Sequence, residues 1–334
     1  MEYYCPPESY YTEIDKFVHV FSVRTNGPQW GMNVVSSSEY GMASVQMKRN
    51  LHKLASLGGA YAVFIPVHYQ ESPLSSNIFR KKSSPSMHSL KNSILFAKRI
   101  GLKTSLKPHL NLETREARSR INPLDFKKWG SNYREYILSY ARLANELEVD
   151  SFFIGTELEG VSKHEEYWRD LIKSVRQEYG GELSYSSNRL GEAKNINWWD
   201  SLDFIGISFY EPILSGISHS MTESDLVSAW YYKGYALQLL QLNERWKKNI
   251  VLSELGYYGR SDTALNPAII SDGMIDSRAQ AIAYSAAYRV LSTLPPVKAF
   301  YIWALDANSI SPPGGFSIIP TNNVVMCELN ANKS

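Results

Sequence analysis

Short apolar runs recur along the chain, separated by longer stretches whose apolar residues fall at helical spacing. The runs are WGMNVV (30–35), AYAVFIPV (60–67), LKTSLKP (102–108), SFFIGTE (151–157), ELSYSSN (182–188), DFIGISFY (203–210), NIVLSE (249–254) and KAFYIWA (298–304). The helical pattern GMASVQMKRNLHKLASLG stops at Gly58, and SMHSLKNSILFAKRIG stops at Gly101, where glycine ends a helix readily. Asp125 suits the first turn of the next helix. In SKHEEYWRDLIKSVRQEYGG, Ser162 is the expected N-cap and Glu165 completes a capping box.

Strand–helix alternation in one direction predicts a parallel sheet. Eight such units in about 300 residues predict an α/β chain closed into a single (β/α)8 TIM barrel. No GxGxxG follows the first run, which argues against a dinucleotide-binding sheet. Residues 1–29 are expected to form an N-terminal extension packing on the barrel bottom, and 30–334 the barrel itself. The tail after residue 304 is short, so the eighth helix is expected to be weak or reduced to a turn.

Composition narrows the function classes. Of the 334 residues, 44% are hydrophobic and 20% charged, which suits a folded chain with an ample core. A net charge of +2 does not point to nucleic acid. No apolar run approaches the ~18 residues of a membrane span. The N-terminus MEYYCPPESYYTEIDK lacks the basic-then-apolar order of a signal peptide, so the cytoplasm is the expected compartment. A bridge between Cys5 and Cys327 is conceivable, but no disulfide framework or zinc cluster is visible. A monomer or weak oligomer without metal or organic cofactor is expected.

In such barrels chemistry gathers at the C-terminal strand ends. Those ends carry Asn33 and Ser36; His68 and Tyr69; Lys107, His109 and Asn111; Glu157 and Glu159; Ser187 and Asn188; Tyr210 and Glu211; Glu254; and Trp303 and Asp306. Glu157 and Glu254 end the fourth and seventh strands, which face one another across an eight-stranded mouth. Two facing carboxyls suit glycoside cleavage: one protonates the leaving oxygen and the other attacks the anomeric carbon. Their mutual repulsion helps one to keep its proton.

These motifs resemble clan A of the glycoside hydrolases and, more closely, family 113, whose members are retaining β-1,4-mannanases. The resemblance covers about Trp30 to Trp303. FFIGTELEG resembles the strand-four motif and implies that Glu157 is the acid/base. VLSELGY resembles the strand-seven motif and implies that Glu254 is the nucleophile. ISFY implies that the hydroxyl of Tyr210 touches the nucleophile, and YIWA that Trp303 floors the sugar subsite. LKPHLN implies that Lys107 and His109 contact sugar. Most of the clan carries asparagine just before the acid/base; here Thr156 stands there, with a hydroxyl able to donate or accept one bond. The implied substrate is β-mannan or manno-oligosaccharide. A β-xylanase or β-glucanase of the same clan, or an inactive barrel that binds carbohydrate, stays open.

His68 and Asn188 are further candidates for sugar contacts. Glu159 and Glu211 read as surface or supporting residues. Trp198 and Trp199 read as core packing more readily than as a binding platform.

Overall fold

The computed structural model describes residues 27–216, 222–269, 273–306 and 315–318. Ten strands are defined: β1 (Gln29–Val35), β2 (Tyr61–Phe64), β3 (Val67–Gln70), β4 (Lys103–Leu106), β5 (His109–Leu112), β6 (Ser151–Thr156), β7 (Glu182–Asn188), β8 (Phe204–Phe209), β9 (Asn249–Leu255) and β10 (Val297–Asp306). Eight of them close into a barrel in the order β1-β2-β4-β6-β7-β8-β9-β10, every neighbouring pair parallel. This is the predicted (β/α)8 TIM barrel.

The remaining two strands explain where the runs at 60–67 and 102–108 differ from expectation. Each run is broken by a proline, Pro66 and Pro108, which has no N–H for a ladder. Beyond the break the chain resumes as β3 and β5, paired in parallel with Val67 opposite His109. Backbone bonds bridge the break: Lys107 N to Phe64 O and His109 N to Pro66 O, each 2.9 Å. The barrel strands β2 and β4 are therefore continued past the rim by β3 and β5, and β5 carries His109.

The helix signals mostly hold. Asp125 caps helix Phe126–Glu146, its carboxylate accepting from Lys128 N at 2.9 Å. Gly58 and Gly101 have φ of 82° and 85°, the left-handed backbone that ends a helix. The capping box at Ser162 does not form. Ser162 closes a one-turn helix, Glu159–Ser162, and its hydroxyl donates to Glu159 O; helix Glu165–Glu178 instead starts after His164. The loop leaving β6 coils immediately and uses the residue that was expected to begin the next helix.

Most buried apolar side chains pack between the strands and the outer helices. Trp198 and Trp199 are fully buried there, so they are core. Inside the barrel, a smaller cluster of Val63, Phe153, Phe204, Val251, Ala299 and Tyr301 plugs the lower half. Nearer the C-terminal ends the interior turns polar. Ser186 Oγ meets Ser208 Oγ at 2.9 Å and Ser253 Oγ at 2.6 Å, while Asn33 Nδ2 donates to Ser253 O and Tyr301 O. The carboxyls stand on this hydroxyl layer.

Residues 1–26 of the expected extension, the Cys5–Cys327 bridge and most of the tail after residue 304 fall outside the described residues, and Gln29, expected in the extension, already begins β1. Among the described residues no helix is long and apolar enough to cross a membrane.

Where β1 meets β2, a Cβ on Gly31 would lie 2.3 Å from Tyr61 O. Gly31→Ala is expected to destabilise the barrel by about 2 kcal/mol or more, because backbone cannot yield as a side chain can. Gly180→Ala, whose Cβ meets nothing within 4 Å, should stay within about 0.5 kcal/mol. Urea unfolding of the two variants checks the contrast.

Candidate active site

Three barrel strands carry an extra residue near their C-terminal ends. On β9, Val251 pairs with Gly206 and Glu254 with Ser208, so three steps on β9 match two on β8. On β6, Phe153 pairs with Ser184 and Thr156 with Ser186, again three steps against two. On β10, Ile302 pairs with Met32 and Leu305 with Val34. Each is a β-bulge, a device that re-aims the side chains beside it. The three bulges flank Glu254, Glu157 and Trp303, so inward–outward alternation is reset where the candidate residues sit.

Glu254 is 4% exposed and held by donors on both oxygens. Lys107 Nζ lies 2.7 Å from Oε1 and also donates to Ser253 O at 3.0 Å. The Tyr210 hydroxyl donates to Oε2 at 3.0 Å. His109 Nε2 lies 3.4 Å from Oε1. Burial on its own would raise this carboxyl, but Lys107, His109 and Arg118 outweigh it and hold Glu254 well below the usual carboxylate range. The magnitudes explain why several partners are needed. A unit pair at about 4 Å gains about 4 kcal/mol at an effective dielectric near 20, while desolvation costs several kcal/mol per ion. The fully buried Lys107 ammonium is itself pulled down by burial and pushed back up by Glu254.

The tautomer of His109 follows from its other neighbour. Arg118 Nη1 lies 2.8 Å from His109 Nδ1. A guanidinium only donates, so Nδ1 accepts and the ring proton sits on Nε2, facing Glu254. Burial, reinforced by Arg118, pushes the pKa of His109 down to about 3, so the ring is neutral over any ordinary working range.

Glu157 sits in the opposite environment. Its backbone N extends the ladder past β6 by donating to Ser186 O at 2.7 Å, and its φ is 55°. Few side chains adopt that left-handed backbone. Burial, and then the negative charge of Glu254, raise its carboxyl; Arg118, Ser208 and Lys107 pull it part of the way back. Arg118 Nη1 is 3.8 Å from Oε2. Two carboxyls pushed apart in this manner divide into a proton holder and an anion. A cavity of about 400 Å³ opens beside Glu157, lined by Tyr69, Asn111, Arg115 and Arg118 among others.

The remaining expected residues divide into two groups. Trp303 belongs with the carboxyls: its ring stacks on His109 at 5.8 Å and 5°, with Lys107 Nζ 5.9 Å from it. Thr156 is 1% exposed, and its Oγ1 has no hydrogen-bond partner among the described residues. Lys107 and His109, expected to contact sugar, have Glu254 as their immediate partner. Asn188 Nδ2 is tied to Glu159 Oε2 at 2.8 Å, which engages both in a mouth-side pair. His68 lies apart. Its ring packs on Tyr136 and Tyr140 of the outer helix, at 4.5 and 5.7 Å. Burial, aided by Arg80, pushes the pKa of His68 down to about 4. Facing outward from β3, it is a packing residue; the proline break that creates β3 sets that direction.

Sequence reasoning missed Arg118. It lies in the loop after β5 and joins His109, Asn111 and Glu157, donating to Asn111 Oδ1 at 2.9 Å. Its spacing of nine residues from His109 carries no periodic signal. Among the described residues no group of three or more acidic, histidine or cysteine side chains is placed to hold a metal ion.

The profile of Glycoside Hydrolase Family 113 matches residues 30–312. Among solved structures, the fold resembles the β-mannanase AaManA of Alicyclobacillus acidocaldarius. The TM-score is 0.78 at 22% identity, covering 92% of this chain and 98% of that one. Another family 113 β-1,4-mannanase gives 0.76 at 21% identity, over 91% and 98% of the two chains. A family 5 mannosidase of Rhizomucor miehei gives 0.54 at 10% identity, over 93% and 94%. At these identities the likeness is one of fold. Comparison with curated protein sequences returned no match.

Lys107→Met tests the charge balance. The depressed pKa of Glu254 means that its ionised form favours the fold above the usual carboxylate range, a contribution lost as pH falls through the folded value. Without Lys107 the carboxylate is buried uncompensated, and at pH 7 the variant is expected to lose about 3–5 kcal/mol. Near pH 4 Glu254, no longer held by the ammonium, takes up a proton and the deficit should shrink. Denaturant unfolding at the two pH values measures this.

Proposed function

The chain belongs to Glycoside Hydrolase Family 113, and from that membership we propose that it is a retaining β-1,4-mannanase that works with Glu254 as nucleophile and Glu157 as acid/base. The observation that supports the mechanism is the opposite bias of the two carboxyls: Lys107 and His109 draw Glu254 below the usual carboxylate range, while burial and the charge of Glu254 raise Glu157 above it. The substrate class is supported by the two mannanase structures that share the barrel over nearly its whole length.

In the first step a Glu254 oxygen attacks the anomeric carbon of β-linked mannose. The bond from that carbon to the leaving oxygen breaks, and the Glu157 proton passes to that oxygen. A covalent glycosyl-enzyme remains. In the second step water attacks the same carbon, Glu157 takes the water proton, and Glu254 departs as a carboxylate. Tyr210 and Lys107 fix the two Glu254 oxygens before attack. The neutral His109 supports the anion without competing for its proton. Trp303, stacked on His109, offers an aromatic face to the apolar side of the sugar.

Product analysis on mannohexaose, xylohexaose and cellohexaose tests the substrate. Mannohexaose alone should be cut, and Glu254→Gln should lower its kcat by about a thousandfold or more. Cleavage of xylohexaose or cellohexaose in preference would replace the mannan reading. Glu157→Gln should slow cleavage of unactivated mannosides by about 10²–10⁴-fold, the usual worth of a general acid. Mannosides with a leaving group that needs no proton should form the glycosyl-enzyme almost unimpaired. Equal losses on both would refute the role given to Glu157.

A further inference from the structure

The turn that presents Glu157 is gripped from the side away from the cleft. Tyr185, on β7, lies against it: a Cβ on Gly155 would come within 2.8 Å of the Tyr185 ring. The ring therefore occupies the space beside the residue two before Glu157. Its hydroxyl accepts the N–H of Leu158, the residue just after Glu157, at 2.6 Å. One side chain thus holds the backbone on both sides of a residue in the left-handed region.

Glu192 locks that side chain. The Tyr185 hydroxyl donates to Glu192 Oε1 at 2.7 Å, and Asn188 N donates to Oε2. Glu192 is 1% exposed, on the short helix Arg189–Asn195 that follows β7. A helix-capping glutamate needs only the bond to Asn188 N and is satisfied at the surface. Here the side chain is buried and its second oxygen reaches the tyrosine. A buried carboxyl is tolerated only where its bonds are made, and one of them runs to the acid/base turn. Neither residue touches the cleft.

We propose that Tyr185 and Glu192 are positioning residues that clamp the Glu157 turn and set how well Glu157 delivers its proton to the leaving group. The inference rests on the reading of Glu157 as proton donor. Tyr185→Phe keeps the ring against Gly155 and removes only the hydroxyl, so Leu158 N loses its acceptor and the turn gains freedom. Displacement of a reacting group by about 1 Å is worth up to about a hundredfold in rate. Only steps that use the Glu157 proton should feel it.

The test compares two substrates in four variants. Tyr185→Phe should lower kcat on mannohexaose roughly tenfold with little change in KM, within the range that such misplacement allows. The pre-steady-state burst of dinitrophenol from a dinitrophenyl β-mannoside, which needs no proton, should be unchanged. Glu192→Ala should reproduce the split. Glu192→Gln should restore most of the activity, because its amide oxygen can accept from Asn188 N while its amide NH2 donates to the Tyr185 oxygen, which still accepts from Leu158 N. Glu157→Gln runs alongside as the reference. If Glu157→Gln shows the split and Tyr185→Phe loses neither activity, or both equally, the clamp is refuted and the assignment of Glu157 stands. If Glu157→Gln itself shows no split, the assignment fails and the clamp falls with it.

Discussion

The ion pair between Lys107 and Glu254 is the interaction on which the site depends. Both members are almost fully buried, and their separation is 2.7 Å. A lone carboxylate at this depth would hold a proton and be useless as a nucleophile. Lys107 reverses that, and the consequences spread outward. The charge kept on Glu254 adds to burial in raising Glu157, while Lys107 itself draws Glu157 part of the way back, so the lysine acts on the two carboxyls in opposite senses through Glu254. The Tyr210 hydroxyl completes the set of donors, and His109, whose orientation is imposed by Arg118, stands 3.4 Å from the carboxylate.

The barrel makes this pair possible by changing character along its axis. Phe153, Phe204 and their neighbours fill the lower interior, where the hydroxyls of Ser105 and Ser151 bond one another. The serine hydroxyls above satisfy one another and the nearby backbone. At the C-terminal ends the interior carries the buried charges of Lys107 and Glu254. Bulges on β6, β9 and β10 then turn the final residues of those strands, so the fold spends its irregularities where side chains must be aimed.

Much of this was legible in the sequence because strand ends are marked by a change of residue type. SFFIGTE and NIVLSE run apolar and then stop on a carboxylate, and the barrel rule converts those stops into neighbours in space. The proline breaks are also on view in the sequence: the strand pair that resumes beyond Pro66 and Pro108 sets His68 against Tyr136 and not in the cleft. Ser162 followed a valid capping pattern, but a one-turn helix at Glu159–Ser162 used it first. Arg118 left no trace, because a loop arginine acquires meaning only once folding brings His109, Asn111 and Glu157 to it. Local patterns report elements well; they do not report which loop side chain closes over a site.

The most direct test of the account is a carbon-13 NMR titration of the glutamate carboxyls, with Glu157→Gln and Glu254→Gln used to assign the two signals. The account predicts that Glu254 stays ionised to pH values below the ordinary carboxylate range while Glu157 keeps its proton above that range. In the Glu254→Gln protein, Glu157 should move down toward ordinary behaviour as the neighbouring charge disappears. Two carboxyls titrating together in the ordinary range, or Glu254 holding its proton longer than Glu157, would contradict the division of roles.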